Sequence, residues 1–439
     1  MKAHVNGINI LTACLLFLLY LAPSIPLAFE AGGGSGYLAI LFLAVLWFVA
    51  LGEGDKRAGQ TTRLFPMALG SLCLVALVPA LLRSNWRFSF SDAGWWAVAA
   101  GISYLLLNRV VRSSSLLAGL YILAGTVNAG VGGFQHIAVS PAERAANLAS
   151  PEVLSSPGWG FGWYAAVGQG APPVWGFHNP TNFNAFAAYL YWPLLLSVGG
   201  LAYRGWRRVA CLAAAFIIGL ALFWTYSRVT FIAVALAAVA IGVIWVFAGS
   251  PRLPVLLLVT GMLLGGIGMT SFLWGADAWS GTMTARVSLW RDLATLLTKN
   301  LGVLVSGGGY PFFTREAHIQ PADFHNMYLF ILLQYGVLGL LVFGVMGYRL
   351  VAMGWHALSR GSIRSQPMLV AMWAGMLGFL VSGLAESQVQ EPYQRMAFVQ
   401  AIVLYLWLCM DGIGQSPGSA GVRPLPQERS PDGSGHARV

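Results

Sequence analysis

Two Phe-His-Asn triplets mark the 439-residue chain, one in "GFHNPTNF" with His178 and one in "PADFHNMYLF" with Asp323, His325 and Asn326. Each stands at the mouth of an apolar run. A histidine at such a place can take a proton from a hydroxyl near neutral pH. Asp323 is a good helix cap, which puts His325 in the first turn of the following helix. There the helix dipole disfavours imidazolium and keeps the ring neutral. His178 has the same neighbours but is followed by Pro180, and Asn182 is the better cap for its own span. Local physics does not separate the two histidines, and a cap or interface role fits either of them.

Other residues extend the chemistry. Arg228, in "FWTYSRVTF", fits a snorkelling arginine on lipid phosphate or a phosphate-binding site equally well. Arg286 opens an amphipathic stretch. Arg291 lies five residues further on, about 140° round a helix, so the two cannot share a face. In "SGGGYPF", Gly307, Gly308 and Gly309 give the backbone freedom to turn N–H groups towards an anion, as they would in a flexible hairpin. Two arginines, a glycine nest and a neutral histidine together suit a diphosphate leaving group and a hydroxyl nucleophile. No carboxylate cluster suggests a metal, and no cofactor is expected.

These residues need a scaffold, and composition says which kind. The chain is 57% hydrophobic and 9% charged, with a mean hydropathy of +0.69, whereas soluble domains carry roughly 25% charged residues. Spans of about 20 apolar residues cross a bilayer as helix. Twelve such runs are expected at 9–28, 37–52, 64–82, 94–107, 115–133, 182–203, 208–226, 229–247, 254–275, 327–349, 367–385 and 393–410. The first has one lysine ahead of it and no convincing cleavage site, so it is kept as a span. With both termini inside, most of the 25 Lys and Arg fall on the inner side and most of the 15 Asp and Glu on the outer, as the positive-inside rule requires. The net charge of +10 therefore reads as topology and contact with anionic membrane lipids, and nucleic-acid binding is not expected. Cys14, Cys73, Cys211 and Cys409 stand alone in apolar stretches and read as inert core thiols.

Two outer loops are long, at about 134–181 and 276–326. In the second, "TMTARVSLWRDLATLLTKN" puts Val287, Trp290, Leu293 or Ala294, and Leu297 on one stripe. Thr282 or Thr284 is its expected cap and Gly302 its stop, which predicts a helix lying in the interface. The expected architecture is an all-α polytopic membrane protein. Residues 1–410 form the transmembrane domain, and 411–439 a disordered cytoplasmic tail.

The stretches "FHNPTNFNAFAAYL", "TYSRVTFIAVAL", "RVSLWRDL…GVLVSGGGYPF" and "HNMYLFILLQYGVLGLLVF" resemble, in that order, the O-antigen ligase and polymerase superfamily of bacterial envelope glycosyltransferases. In the last of them the pattern runs through Tyr328 and Leu329 to Gly336 and Gly339. The resemblance implies an enzyme of the inner (cytoplasmic) membrane whose active site faces the periplasm. It would take a glycan from undecaprenyl diphosphate and join it to an acceptor hydroxyl. His325 then resembles the family's essential histidine, the base on the acceptor, and Arg228 and Arg286 the arginines that hold the diphosphate. In the first motif the emphasis falls on Asn179, Pro180 and Asn182. One departure is that Tyr226 and Val229 replace the glycines that usually flank the Ser-Arg turn. The expected activity is that of an O-antigen ligase acting on lipid A-core, favoured by the single compact outer loop. A polymerase extending the lipid-linked glycan is the alternative. A protein-glycosylating member is disfavoured by the short tail, and a lipid-linked glycan flippase by spans nearly free of charge. Trp159, Trp163, Tyr164 and Trp175 could stack on sugars or belong to an aromatic belt. Glu386 and Glu391 could touch sugar or act as a second base.

Overall fold

The computed structural model describes residues 60–83, 86–105, 107, 114–138, 183–225, 227–247, 276–309, 326–360, 363–384 and 392–414, with isolated positions between 14 and 21. Among the described residues every regular element is a helix. In chain order these are α1 (Gln60–Arg83), α2 (Trp86–Leu105), α3 (Ser114–Ala138), α4 (Phe183–Gly200), α5 (Trp206–Trp224), α6 (Arg228–Phe247), α7 (Ala276–Lys299), α8 (Leu301–Ser306), α9 (Met327–Arg360), α10 (Pro367–Ser382) and α11 (Pro392–Gly414). The expected spans at 64–82, 94–107, 115–133, 182–203, 208–226, 229–247, 327–349, 367–385 and 393–410 each coincide with one helix. Those at 9–28, apart from isolated positions between 14 and 21, at 37–52 and at 254–275 lie outside the described residues.

Three helices, Ser114–Ala138, Trp206–Trp224 and Met327–Arg360, are long and apolar enough to cross a membrane by length and composition. Phe65–Val78, Val229–Ile244, Pro367–Ser382 and Ala397–Ile413 are apolar but shorter. The chain is a helical membrane protein at that level of description.

The core follows from which helices are apolar all round. Such a helix has no polar stripe to turn outward and is driven into the middle of a bundle. α4 is buried almost throughout from Ala185 to Leu201, as are α10 from Pro367 to Met376 and α11 from Ala397 to Leu406. α5 is different. It buries Ala214, Ile218, Ala221 and Leu222 and exposes Trp206, Val209 and Phe216, an apolar outer face suited to lipid.

Close packing rests on small residues set against bulky ones, the usual device where lipid is as apolar as the helices. The ring of Pro193 in α4 seats on Gly125 of α3, and Gly199 lies against the Pro367 carbonyl. Tyrosine and tryptophan tips then bond to carbonyls of neighbouring helices: Tyr191 to Gly375 (2.7 Å), Tyr405 to Leu350 (2.7 Å) and Trp373 to Val351 (2.9 Å). Amphipathic rings keep such a polar tip only where it finds a partner.

Three boundaries differ from expectation, and the first is that of α9, which runs to Arg360 rather than ending near 349. α2 begins at Trp86 rather than near 94, because "WRFSFSDAG" carries Asp92 into the bundle, where it has a partner. α11 runs past Asp411 to Gly414, since Asp411 accepts a hydrogen bond from the Ser114 hydroxyl and Gln366 Nε2 donates to the Gly412 carbonyl at 3.3 Å. The expected tail therefore starts later, and 415–439 lie outside the described residues. Finally, Cys211 and Cys409 are buried as expected, Cys73 is half-buried, and Cys14 is exposed.

Candidate active site

The start of α9 is fixed by its first residues. Asn326 Oδ1 accepts the Leu329 N–H at 3.0 Å, so Asn326 is the cap and the helix opens at Met327. This corrects the expectation that Asp323 caps the helix. A side chain caps the N–H groups two or three residues on, and Asn326 stands at that distance from the first free donors. His325 is consequently the residue before the cap, not one inside the first turn. The cap is anchored as well as formed. Asn326 Nδ2 donates to the Leu384 carbonyl (2.9 Å), the Met327 N–H to the Gly383 carbonyl (2.7 Å), and the Tyr328 hydroxyl to the Leu380 carbonyl (2.6 Å). Three bonds thus tie the beginning of α9 to the end of α10. Asn326 is itself buried.

The turn that bears Arg228 meets the same end of α10. α5 closes at Trp224, and Thr225 turns its N–H back to Ala221 and Leu222. Ser227 N–H donates to Thr225 Oγ1 at 3.3 Å, and the Ser227 and Thr230 hydroxyls are 3.0 Å apart. The Ser227 carbonyl accepts the Phe231 N–H, which makes Arg228 the first residue of α6. Thr225, Ser227 and Thr230 are all buried. This hydroxyl chain fixes the turn without the flanking glycines. Further along, the Ala233 carbonyl sits against Gly378 of α10. Arg228 is five residues before that contact, and Gly383 five residues after it. Both segments rise about 1.5 Å per residue along antiparallel helices. Arg228 and the Asn326 cap are therefore carried to one end of the bundle.

α7 leads into α8, which packs against α9. α7 is longer than expected, with Thr282 and Thr284 inside it, and it stops at Lys299 rather than at Gly302. Asn300 causes the stop: its N–H and Nδ2 both return to the Leu296 carbonyl, while its own carbonyl starts α8 by accepting from Val303. The stripe is as expected at Leu293 and Leu297, which are buried, and Trp290 is half-buried. Ala294 and Arg291 are exposed. Arg286 lies one turn before Trp290 in the same helix.

The glycine run has a use other than the anion nest expected of it. Gly307 N–H donates to Val303 (2.9 Å) and Gly308 N–H to Leu333 (2.8 Å), so both donors are spent on the protein's own carbonyls. Gly307 has φ +77° and Gly336 φ +70°. At Gly336 α9 breaks into a first segment, 327–335, and a longer second one, 337–360. The two glycines cross backbone to backbone. A Cβ on Gly307 would overlap the Gln334 carbonyl, and one on Gly336 would overlap the Val305 carbonyl and the Gly307 nitrogen. The glycines weld α8 to the break in α9. Gly309 also has positive φ, at +68°.

His325, Asp323, His178, Asn182, Glu386, Glu391 and the four loop aromatics lie outside the described residues. Of the expected site, the described part comprises Asn326, the three glycines and the backbone of Arg228 and Arg286. Sequence reasoning missed a polar cluster just inside this end: Asp92 and Trp96 of α2, Gln334 and Tyr335 of α9, and Arg395 of α11. Its signal was a charge inside one apolar run and an opposite charge, Asp92, just before another. Arg395 falls within the expected span 393–410.

Residues 213–344 match the family described as O-Antigen ligase. Over that segment the chain is similar to the O-antigen ligase family, in agreement with the motifs that resemble the ligase and polymerase superfamily. Arg228, Arg286, Gly307, Asp323, His325 and Asn326 fall inside the match, whereas His178, Asn182, Asp92 and Arg395 fall outside it. No curated protein matches the chain.

Proposed function

We propose that the protein is a metal-independent, inverting glycosyltransferase of the inner membrane. Its donor is a glycan on undecaprenyl diphosphate, and its acceptor is a hydroxyl of lipid A-core at the periplasmic face, the reaction of an O-antigen ligase. The supporting observation is the convergence on one end of α10: the hydroxyl-braced turn that opens α6 at Arg228, and the anchored cap that directly follows His325.

In this reading the acceptor oxygen attacks the anomeric carbon from the face opposite the diphosphate. His325 takes the hydroxyl proton as the new C–O bond forms. The anomeric C–O bond to phosphate breaks, and undecaprenyl diphosphate leaves with the electron pair. Arg228 and Arg286 meet the charge that grows on the departing oxygen, the work a divalent cation does in other transferases. Membrane lipids surround the site and present the donor's polyprenyl chain.

Transfer measured in EDTA is expected to match that in buffer with Mg²⁺. Activity that vanishes in EDTA and returns with Mg²⁺ would defeat the two-arginine scheme. With both arginines intact but a second lipid-linked glycan as the preferred acceptor, the products would form a lengthening ladder, and the enzyme would be a polymerase.

A further inference from the structure

The break in α9 is held by more than glycine. The Arg395 guanidinium is ion-paired with the Asp92 carboxylate, both groups being largely buried. The same guanidinium lies over the Trp96 ring, 5.2 Å from its centroid. Asp92 Oδ1 receives Arg395, while Oδ2 receives Gln334 Nε2 at 3.5 Å. Trp96 Nε1 donates to the Tyr335 hydroxyl at 2.9 Å, and the two rings meet edge to face. Gln334 and Tyr335 are the two residues immediately before Gly336. Each is therefore gripped by α2, and α2 is gripped in turn by α11.

A buried ion pair is a poor source of stability. Apolar residues of the same volume often pack as well or better. What it supplies is direction, because each carboxylate oxygen is committed to a different partner. A helix broken at a positive-φ glycine needs such direction, since nothing in its own hydrogen-bond ladder fixes the angle between its halves. The first half, 327–335, is the part that directly follows the Asn326 cap.

We propose that the Asp92–Arg395 pair, with Trp96, Gln334 and Tyr335, is a positioning cluster that sets the angle of the first segment of α9, and with it the Asn326 cap that follows His325 in the sequence. Its catalytic consequence rests on the transfer reaction proposed above, whereas the clamp itself does not. A misplacement of about 1 Å in a reacting group costs on the order of 10²-fold in rate, so a small change in this angle is enough.

The test uses the full-length protein and two variants. Asp92→Asn combined with Arg395→Gln removes both charges without stranding either, and Tyr335→Phe deletes one hydroxyl. Three quantities are compared with the parent: kcat and KM for undecaprenyl-diphosphate glycan, the melting temperature, and amide hydrogen exchange. In the double variant kcat should fall by about 10–100-fold, with KM within about twofold and melting retained. Exchange should quicken in 327–335 and stay slow in 369–379 and 397–406. Tyr335→Phe should move the same way by less. Unchanged exchange in 327–335 would overturn the clamp, and melting that falls in step with kcat would reduce the cluster to a structural role. If the parent protein transfers nothing, the functional reading fails, yet the exchange result still decides the clamp.

Discussion

His325→Ala is expected to lower glycan transfer by about 10²–10⁴-fold, the usual contribution of a positioned general base, while His178→Ala keeps most of it. The two histidines share their neighbours in sequence, so the contrast must come from position. His325 stands directly before a cap that is bonded to both Leu329 and Leu384, and the next residue is bonded to Gly383. The positive end of a helix dipole disfavours imidazolium and favours a ring able to accept a proton, which is the expectation for the residue that precedes the cap. Melting of both variants should match the parent, so that a loss of rate is read as chemistry. Full activity in His325→Ala, or its loss in His178→Ala, would mean that the other histidine does the work.

Gly336→Val is expected to cost several kcal/mol of stability and to remove most of the folded protein, read as loss of a monodisperse peak and a lowered melting temperature. The left-handed conformation at φ +70° costs an L-residue roughly 1–2 kcal/mol, and a β-branched one more. In addition, the new Cβ would overlap backbone atoms of Val305 and Gly307, which cannot swing away as a flexible side chain would. Gly344→Ala is the control in the same helix: nothing lies near its Cβ, so its effect should stay within about 0.5 kcal/mol. A well-folded, active Gly336→Val protein would show that the α8–α9 crossing is not needed.

Hydropathy made the helices legible because a span must be apolar over most of its length, and α4 through α6 and α10 lie close to their expected limits. The stripe through Leu293 and Leu297 was legible for the same reason. Ends were harder. Asp323 and Asn326 are both good caps, and only the packing of α9 on Gly383 and Leu384 decides between them. Likewise Gly302 looked like a stop, but Asn300 closes the last turn of α7 from within. The three-glycine run pointed to an anion nest, whereas Gly307 and Gly308 are consumed by a crossing whose other half, Gly336, is nearly thirty residues away. Asp92 and Arg395 each stand in the sequence as a charge within or beside an apolar run. Their pairing was not legible, because sequence order says nothing about which spans lie side by side.

The central claim is that a glycosidic bond is made. The most direct measurement incubates the purified protein in vesicles with undecaprenyl-diphosphate glycan and lipid A-core and follows the glycan by mass. The account predicts that the glycan appears on the core and that undecaprenyl diphosphate is released in equal amount. Glycan that crosses the vesicle membrane still attached to its lipid, with no new bond on any acceptor, would contradict it.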